Sequence, residues 1–513
     1  MTLHNQIDNI GQKSKGLILM GQYILVLDQG SLNSRAILVD NHAKIIAQSE
    51  YPLKPHSLRS GWIEYKPDDI LKSQLDAIRN LFRKIGSKKQ QIAALGMSGQ
   101  HSTIILWDKD TGKPVYNAIS CNDPRGVDIC RQKAERRDIV RERTGLQLSP
   151  YYSASKIKWV LENVKSVQKL IEKGRLLCGT VNTYILWHLS NRSVYVIDHA
   201  SAARTLLCNI FTKTWDRELL ELFNLPHEIF PPVLPTSSYL GDAVIERQVI
   251  PIHASITGQQ AALLGQGLFQ EGDVNINYGD TGLILANTGK KIFLLPGLLT
   301  SIAWSNHDST SYLLEGVINS AGSLIEWMRN NLGILGPKED IEKLCKGSSN
   351  RLFMFPSVTG LGSPHWDSHS TVCMYGLNNN SRREDIVRSA VESIAFLVKD
   401  NINVIQTDGR IQLKRIIANG DISDITHLMQ FQADILRMPV HKAKEDNYTA
   451  LGVAFLAGLS MKIWQGIAPI ERLTSSAATK VFNPKLSDQD AVKLYDRWRL
   501  TCYHSREWSK NFS

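Results

Sequence analysis

The chain has 513 residues, 43% hydrophobic and 21% charged, with a formal net charge of +10. This length exceeds one ordinary core, so two or more domains are expected, and no apolar run of about 18 residues occurs, which excludes an ordinary membrane-spanning helix. The positive charge is spread out: its one dense cluster, Arg131–Arg143, also holds Glu135, Asp138 and Glu142, so it reads as a solvated helix face and not a nucleic-acid surface, while the net charge suits anionic ligands such as nucleotides.

Residues 1–20 are too weakly apolar for a signal peptide, and no small-residue cleavage site follows. They read as a disordered extension or a start placed too early. Tyr23–Val39 then runs strand, turn, strand, broken at Asp28-Gln29-Gly30. Such a hairpin can aim backbone N–H groups at phosphate while Asp28 holds hydrated Mg²⁺; an ordinary hairpin with a polar tip is the other reading.

Lys44–Tyr51 is a further strand. Asp68 is the expected N-cap of a helix running to about Ile85. Ile92–Met97 is a short buried strand that ends in the polar group Ser98-Gly99-Gln100-His101-Ser102, and Thr103–Trp107 is a strand. A polar group at a strand end is where α/β proteins place ligands. Asn117–Arg125 has the same strand-then-polar form. Tyr151–Asn163 and Gly179–Leu189 read as helices, with Trp159 as core; Asp198–Thr205 is polar and small.

In the second half, Ile252–Thr257 is strand-like and Gly258–Gly265 enters a helix of small residues. Asp273–Asn287 repeats the layout of the opening hairpin. One such hairpin in each half suggests a duplicated architecture with a cleft between the halves. Helices are expected at Ser320–Trp327, Asp385–Asp400, Thr426–Leu436 and Ala450–Leu459, with a Gly-rich loop at Val358–Trp366 and a strand meeting a Gly turn at Ile416–Asp421. The seven cysteines are scattered, odd in number and without a CxxC pair. Reduced thiols, a cytoplasmic location and no zinc site are therefore expected.

The motifs resemble those of the sugar and polyol kinases, the family of glycerol kinase, xylulokinase and gluconokinase, with the glycerol kinases nearest. The likeness spans about Gln22 to Ile467. It is carried by Leu27–Leu38 (LDQGSLNSRAIL), Gly61–Pro67 (GWIEYKP), Trp107–Ile119, Ser149–Trp159, Ile250–Gln266, Thr359–Asp367 (TGLGSPHWD) and Leu428–Leu436. One family signature, Tyr151 through Lys156 and Trp159 to Asn163, is complete; the second, around Gly376-Leu377 and Asp385 to Glu392, departs at Val372.

The resemblance implies an α/β fold of two actin/hexokinase-like (ribonuclease H-like) domains, about 21–253 and 254–513, with ATP and Mg²⁺ in a nucleotide cleft between them. The acceptor, a polyol or sugar, would lie against the first domain. Asp28 would order the Mg²⁺ shell, and Gly30, Ser31, Asn33 and Arg35 would face the transferred phosphate. Gly279, Thr281 and Gly282 would hold the phosphates from the other side. Gly420, Asp421 and the helix at Leu428 would line the adenosine pocket. Tyr151 and Gln259 would contact the acceptor. The resemblance also allows self-association and implies neither a nucleic-acid partner nor a membrane one.

Departures from the family pattern fall on chemistry. The family's catalytic base is an Asp directly before Gln-Gln-Ala-Ala-Leu, and Gly258 stands there. The family's acceptor-gripping Arg-Glu pair falls on His101 and Ser102, its Gly-Thr-Gly turn on Gly279-Asp280-Thr281, and its Gly-Gly turn on Gly420-Asp421. A positioned general base contributes about 10²–10⁴ in rate. The expectation is thus a glycerol kinase-like enzyme with impaired phosphoryl transfer, unless His101 or Asp280 supplies the base. The alternative is a catalytically silent relative acting as a ligand sensor or partner subunit.

Overall fold

The structure, a computed structural model, describes residues 23–57, 59–444, 447–475 and 478–510; the expected extension over 1–20 lies outside them. Contacts divide the chain into two compact units. The first comprises Met1–Gly267, Ser301–Ser311 and Asp446–Ser475, and the second Leu268–Thr300, Tyr312–Glu445 and Ser476–Ser513. No helix among the described residues is long and apolar enough to cross a membrane.

The first unit is built on six strands: β1 (Tyr23–Gln29), β2 (Asn33–Asp40), β3 (Ile45–Pro52), β4 (Ile92–Gly99), β5 (Ser237–Ile245) and β6 (Gln248–Thr257), in the order β5-β6-β4-β1-β2-β3. Pairs β1/β2, β2/β3 and β5/β6 are antiparallel, whereas β1/β4 and β4/β6 are parallel. β1 is buried along all but its first residue. Helix α1 (Pro67–Ile85) packs on β2 and β3, and the helix Tyr448–Ser460 packs on β1, β4 and β6. Burial of the central strands β1 and β4, at nearly every position, is why they read as largely apolar runs instead of alternating ones.

The second unit repeats this plan. Six strands of its seven-stranded sheet, β7 (Asp273–Tyr278), β8 (Gly282–Gly289), β9 (Thr310–Ile318), β10 (Arg415–Asn419), β11 (Val440–Ala443) and β12 (Ala478–Phe482), lie in the order β9-β8-β7-β10-β11-β12. Pairs β7/β8, β8/β9 and β11/β12 are antiparallel, and β7/β10 and β10/β11 parallel. In space the ladder pattern is that of the first sheet, and β7–β10 follow β1–β4 strand for strand. The last two strands come in the opposite chain order, since the inner strand is β6 in the first sheet and β11 in the second, so the duplication suggested by the two hairpins covers the first four strands of each sheet.

The helices expected from Tyr151, Gly179, Ser320, Asp385 and Ala450 start two residues away, at Ser153, Val181, Gly322, Arg383 and Tyr448, and the first helix also starts off its expected cap; two of these starts have a plain physical cause. Pro67 occupies the first turn of α1 and Lys66 is its N-cap without a side-chain bond, so Asp68 and Asp69 act in the first turn, as charges beside the positive end of the helix dipole. Gly179 and Thr180 belong to the strand Leu176–Thr180, which pairs with Ile104–Asp108. Of the helices that follow, those that bear on the site are α2 (Ser153–Asn163), α3 (Val181–Leu189) and α4 (Gly258–Gly265) in the first unit and α5 (Gly322–Asn330), α6 (Arg383–Thr407) and α7 (Thr426–Leu436) in the second.

Candidate active site

In the first unit the parallel strands β1, β4 and β6 end at the same edge. Their register sets Asp28 beside Ser98, and Gln29 and Thr257 on either side of Gly99. The residues that follow, Gly30, Gln100-His101-Ser102 and Gly258, are therefore neighbours, although they come from three distant stretches. This is the strand-end position that α/β folds use for ligands.

Asp28 is buried, and its carboxylate is already engaged. Arg35 donates to Oδ2 through Nε at 3.0 Å and through a second nitrogen, and Ser98 Oγ donates to Oδ1 at 2.7 Å. The turn beyond it is closed by Gly30 N–H on Asn33 O at 2.9 Å, and Gln100 Nε2 donates to Gly30 O at 2.8 Å. A Cβ at Gly30 would stand 2.9 Å from Asn33 Oδ1 and 3.1 Å from Asn33 O, so a larger residue would have to push the Asn33 side chain aside. Asn33 Nδ2 is held by Glu50 at 2.8 Å, and Ser31 is exposed at the tip. A carboxylate with lone pairs beyond these two partners fits a hydrated Mg²⁺ held through water.

Gly258 is the first residue of α4, with Thr257 as N-cap. A Cβ there would meet only Thr449 Cγ2 at 3.9 Å and Gly99 O at 4.0 Å. No carboxylate or imidazole lies that close. Gln259 is exposed beside it.

His101 and Ser102 are buried, at 8% and 2% exposure, and both ring nitrogens of His101 lack a protein hydrogen-bond partner. Burial, with the Arg204 guanidinium nearby, holds the imidazole pKa well below the usual histidine range. His101 is thus neutral near pH 7, able to give one hydrogen bond and accept another, and a poor proton acceptor. Ser102 takes a left-handed φ of 53° and donates to Arg204 O at 2.7 Å, while Ser153 Oγ donates to Ser102 O at 3.1 Å. That bond brings the start of α2, and with it Tyr151, to the His101–Ser102 turn.

The sequence marks Lys156 and Trp159 as signature positions and Asp198 as the start of a polar stretch, but assigns none of them a role at this site. Lys156 is fully buried; its ammonium donates to the carbonyls of Cys121 at 3.1 Å and Tyr151 at 2.9 Å, and to that of Pro150, and burial pulls its pKa down to about 8. Asn182 Nδ2 donates to Ile256 O at 3.0 Å and Ser255 Oγ at 3.2 Å, and Ser255 Oγ donates to Asp198 at 3.0 Å. Burial pushes Asp198 up to about 6. Trp159, read as core, is half-buried: it packs against Trp62 and Tyr116, with ring centroids 5.4 Å away in each case, and the Arg125 guanidinium lies 4.7 Å from its ring. Arg125 in turn pairs with Glu64 at 2.6 Å and Asp123 at 2.7 Å.

In the second unit the parallel pair β7/β10 sets Asn277 beside Asn419, so the turn at Gly279-Asp280-Thr281 and the turn at Gly420-Asp421 share one edge. Gly420 has φ 99°, and a Cβ on it would stand 2.6 Å from Tyr278 C, so glycine alone permits this approach. Asp280, Thr281 and Asp421 are exposed, and Gly282 is buried against Ile318 and Ala321. The first backbone N–H groups of α5 are satisfied from within: Gly322 N–H donates to Gly279 O at 2.9 Å, and Ser323 N–H and Oγ donate to Asp280 O at 3.1 and 3.0 Å. The second signature is structural. Asp385 caps α6 and accepts from the N–H groups of Ser349, Asn350 and Arg382, while Glu392 binds Arg351, Arg388 and His427.

Comparison with known proteins gives matches along the chain. Residues 23–265 match the model of the FGGY family of carbohydrate kinases, N-terminal domain, and residues 274–461 that of the C-terminal domain. Glycerol kinase 2 of Thermotoga maritima is 38% identical over 496 residues, covering 95% of this chain and all of the relative. Glycerol kinase 2 of Sulfolobus acidocaldarius is 36% identical over 492 residues, covering 95% of this chain and 99% of the relative. Among solved structures, Plasmodium falciparum glycerol kinase with ADP superposes with a TM-score of 0.89 at 28% identity, covering 94% of this chain and 98% of that one.

Proposed function

The chain belongs to the FGGY family of carbohydrate kinases, and from that premise we propose that it binds Mg²⁺-ATP and a polyol or sugar but transfers the phosphoryl group slowly. The observation that carries this reading is the bare position at Gly258. Phosphoryl transfer needs in-line positioning, neutralised charge and a group to take the acceptor's proton. The first two have candidates here. Asp28, steadied by Ser98 and Arg35, would hold a hydrated Mg²⁺, which when bound would supply charge neutralisation on the phosphates. The Gly30–Asn33 turn faces the transferred phosphate. Gly279, Thr281, Gly282, Gly420 and Asp421, on one edge of the second unit's sheet, are that unit's candidates for nucleotide contact.

The proton acceptor is what is missing. Removing a general base costs about 10²–10⁴ in rate, or about 3–5.5 kcal/mol of barrier. His101 does not replace it, because an imidazole that stays neutral so far down the pH scale has little driving force to take a proton. Its role is to bind: its two unpartnered nitrogens offer a hydroxyl or carbonyl one donor and one acceptor, where a glycerol kinase offers a charged fork. The same facts favour a second reading, a silent relative that reports ligand by binding it.

Both readings keep the ligands and differ in turnover from kinases that retain the base. Thermal shift tests the shared part. Mg²⁺-ATP and at least one of glycerol, erythritol, xylulose, ribulose and gluconate should raise the melting temperature by mass action. No shift with any nucleotide or acceptor at millimolar concentration would reject both.

A further inference from the structure

The second unit holds a cluster that the kinase reading does not use. His365 comes from the Thr359–Asp367 loop, Asp400 from α6, and Cys502 from the C-terminal helix Asp488–Lys510. One imidazole nitrogen, one carboxylate oxygen and the sulfur all lie within 4.8 Å of one another. His365 Nε2 is 3.2 Å from Asp400 Oδ2. The side chains of His365 and Asp400 are 19% and 8% exposed, and Cys502 is buried at 7%. Scattered cysteines predicted no zinc site, since no two ligands share a short spacing; the fold supplies the proximity that the sequence lacks.

The charge balance at Asp400 also favours a cation. Its other partners are the Tyr495 hydroxyl at 2.6 Å and the Trp498 indole N–H at 3.0 Å, both neutral donors. Among the described residues no lysine or arginine forms an ion pair with it: Lys399 acts on it only through space, its ammonium lying over the Tyr495 ring at 5.9 Å, and the titratable base in direct contact is His365. A buried carboxylate is ordinarily paired with a full charge or bound to a metal. The Arg506 guanidinium, at the same cavity, donates to His365 Nδ1 at 3.4 Å and lies 3.5 Å from Asp367. A cavity of about 360 Å³ opens beside the three groups, leaving room for a fourth ligand from solvent.

We propose that His365, Asp400 and Cys502 form a site for zinc or a similar borderline divalent cation, with water at the fourth position. An imidazole, a carboxylate and a thiolate are the donor set such ions take, at about 2.0–2.3 Å in a tetrahedron. Side-chain adjustment of about 1 Å closes the present separations to those distances. On binding, the thiol gives its proton to solvent. The imidazole proton moves to Nδ1, and Arg506 turns fully onto Asp367. The ion ties α6, the Thr359–Asp367 loop and the C-terminal helix together, so it stabilises the second unit without touching the residues assigned to ATP or acceptor.

The test uses the full chain, stripped with chelator and titrated with Co²⁺ and then Zn²⁺. One equivalent of Co²⁺ should give tetrahedral d–d bands and a thiolate-to-cobalt charge-transfer band, and one equivalent of Zn²⁺ should displace it. Cys502→Ser should lose the charge-transfer band, and His365→Gln should weaken Co²⁺ binding at least tenfold. If the variants fail to fold, X-ray absorption of the zinc-loaded parent decides: one sulfur scatterer in the first shell is required. Absence of stoichiometric binding, a charge-transfer band that persists in Cys502→Ser, or a zinc shell without sulfur would overturn the assignment.

Discussion

Gly258→Asp is the change whose consequence can be worked furthest from the structure. The new Cβ meets nothing closer than 3.9 Å and no positive φ is involved, so the substitution carries no steric penalty. Position 258 is the first residue of α4. A carboxylate there faces the positive end of the helix dipole, which favours the ionised form by about 0.3–1 kcal/mol, and aspartate replaces the residue with the largest backbone entropy cost. Stability should therefore be unchanged or slightly raised. The carboxylate would stand between the ends of β4 and α4, beside the His101–Ser102 turn where the acceptor hydroxyl is proposed to sit. If proton abstraction is the missing step, ADP release with the best acceptor should rise by about 10²–10⁴. Gly258→Asn, of the same shape but without basicity, should leave the rate at the parent's level. The assay is coupled ADP release at saturating Mg²⁺-ATP, with acceptor binding checked by thermal shift. A folded, ligand-binding aspartate variant with a flat rate would refute the reasoning, as would an asparagine variant that gains equally.

Three further outcomes are expected. Gly99→Ala would place a Cβ 2.0 Å from Asn182 Oδ1; it should cost several kcal/mol in urea unfolding, and a loss below about 1 kcal/mol would show that Asn182 does not sit there. Lys156→Met removes the donor shared by the Cys121, Pro150 and Tyr151 carbonyls and should destabilise by about 1–3 kcal/mol for each carbonyl left dry, while loosening acceptor binding more than nucleotide binding; equal loss of both would assign Lys156 a purely structural role. Stability should fall as pH drops from 6.5 towards 4. His188, His199 and His253 are each held at about 4, against 6.5 when free, by burial. The unfolded chain takes protons in that window that the native state refuses. Asp198, raised to about 6 from 3.8, works the other way, against these three and against His101 and His441, which burial also lowers. A melting temperature flat across that window would contradict the burial of these imidazoles.

Much of this molecule was legible because its chemistry is local. The Asp28–Gly30 and Gly420 turns declare themselves by an apolar run that gives way to a glycine turn, and the Gly279 turn by an alternating strand that stops at glycine. α7 was read to the residue because its apolar positions repeat with helical period. What escaped depends on partners distant in sequence. Asn182 can be assigned only once β6 lies beside it, and Lys156 only once the Cys121 carbonyl folds over it. Trp159 carries the helical spacing of a core residue, yet it packs with Trp62, Tyr116 and Arg125 at half burial. The helix starts at Pro67 and Val181 were misplaced for nearby reasons: a proline pre-set for the first turn outranked the aspartate after it, and strand pairing with Ile104–Asp108 held Gly179 and Thr180 out of the helix. The ligand set at His365, Asp400 and Cys502 left no trace in sequence spacing at all.

The central claim is that the position for the acceptor's proton is bare, and turnover measures it most directly. Purified protein with saturating Mg²⁺-ATP, screened for ADP release across glycerol, erythritol, xylulose, ribulose and gluconate, should stay near its acceptor-free background with every one. Release above about 1 s⁻¹, the lower end of ordinary enzyme turnover, with any of them would contradict it.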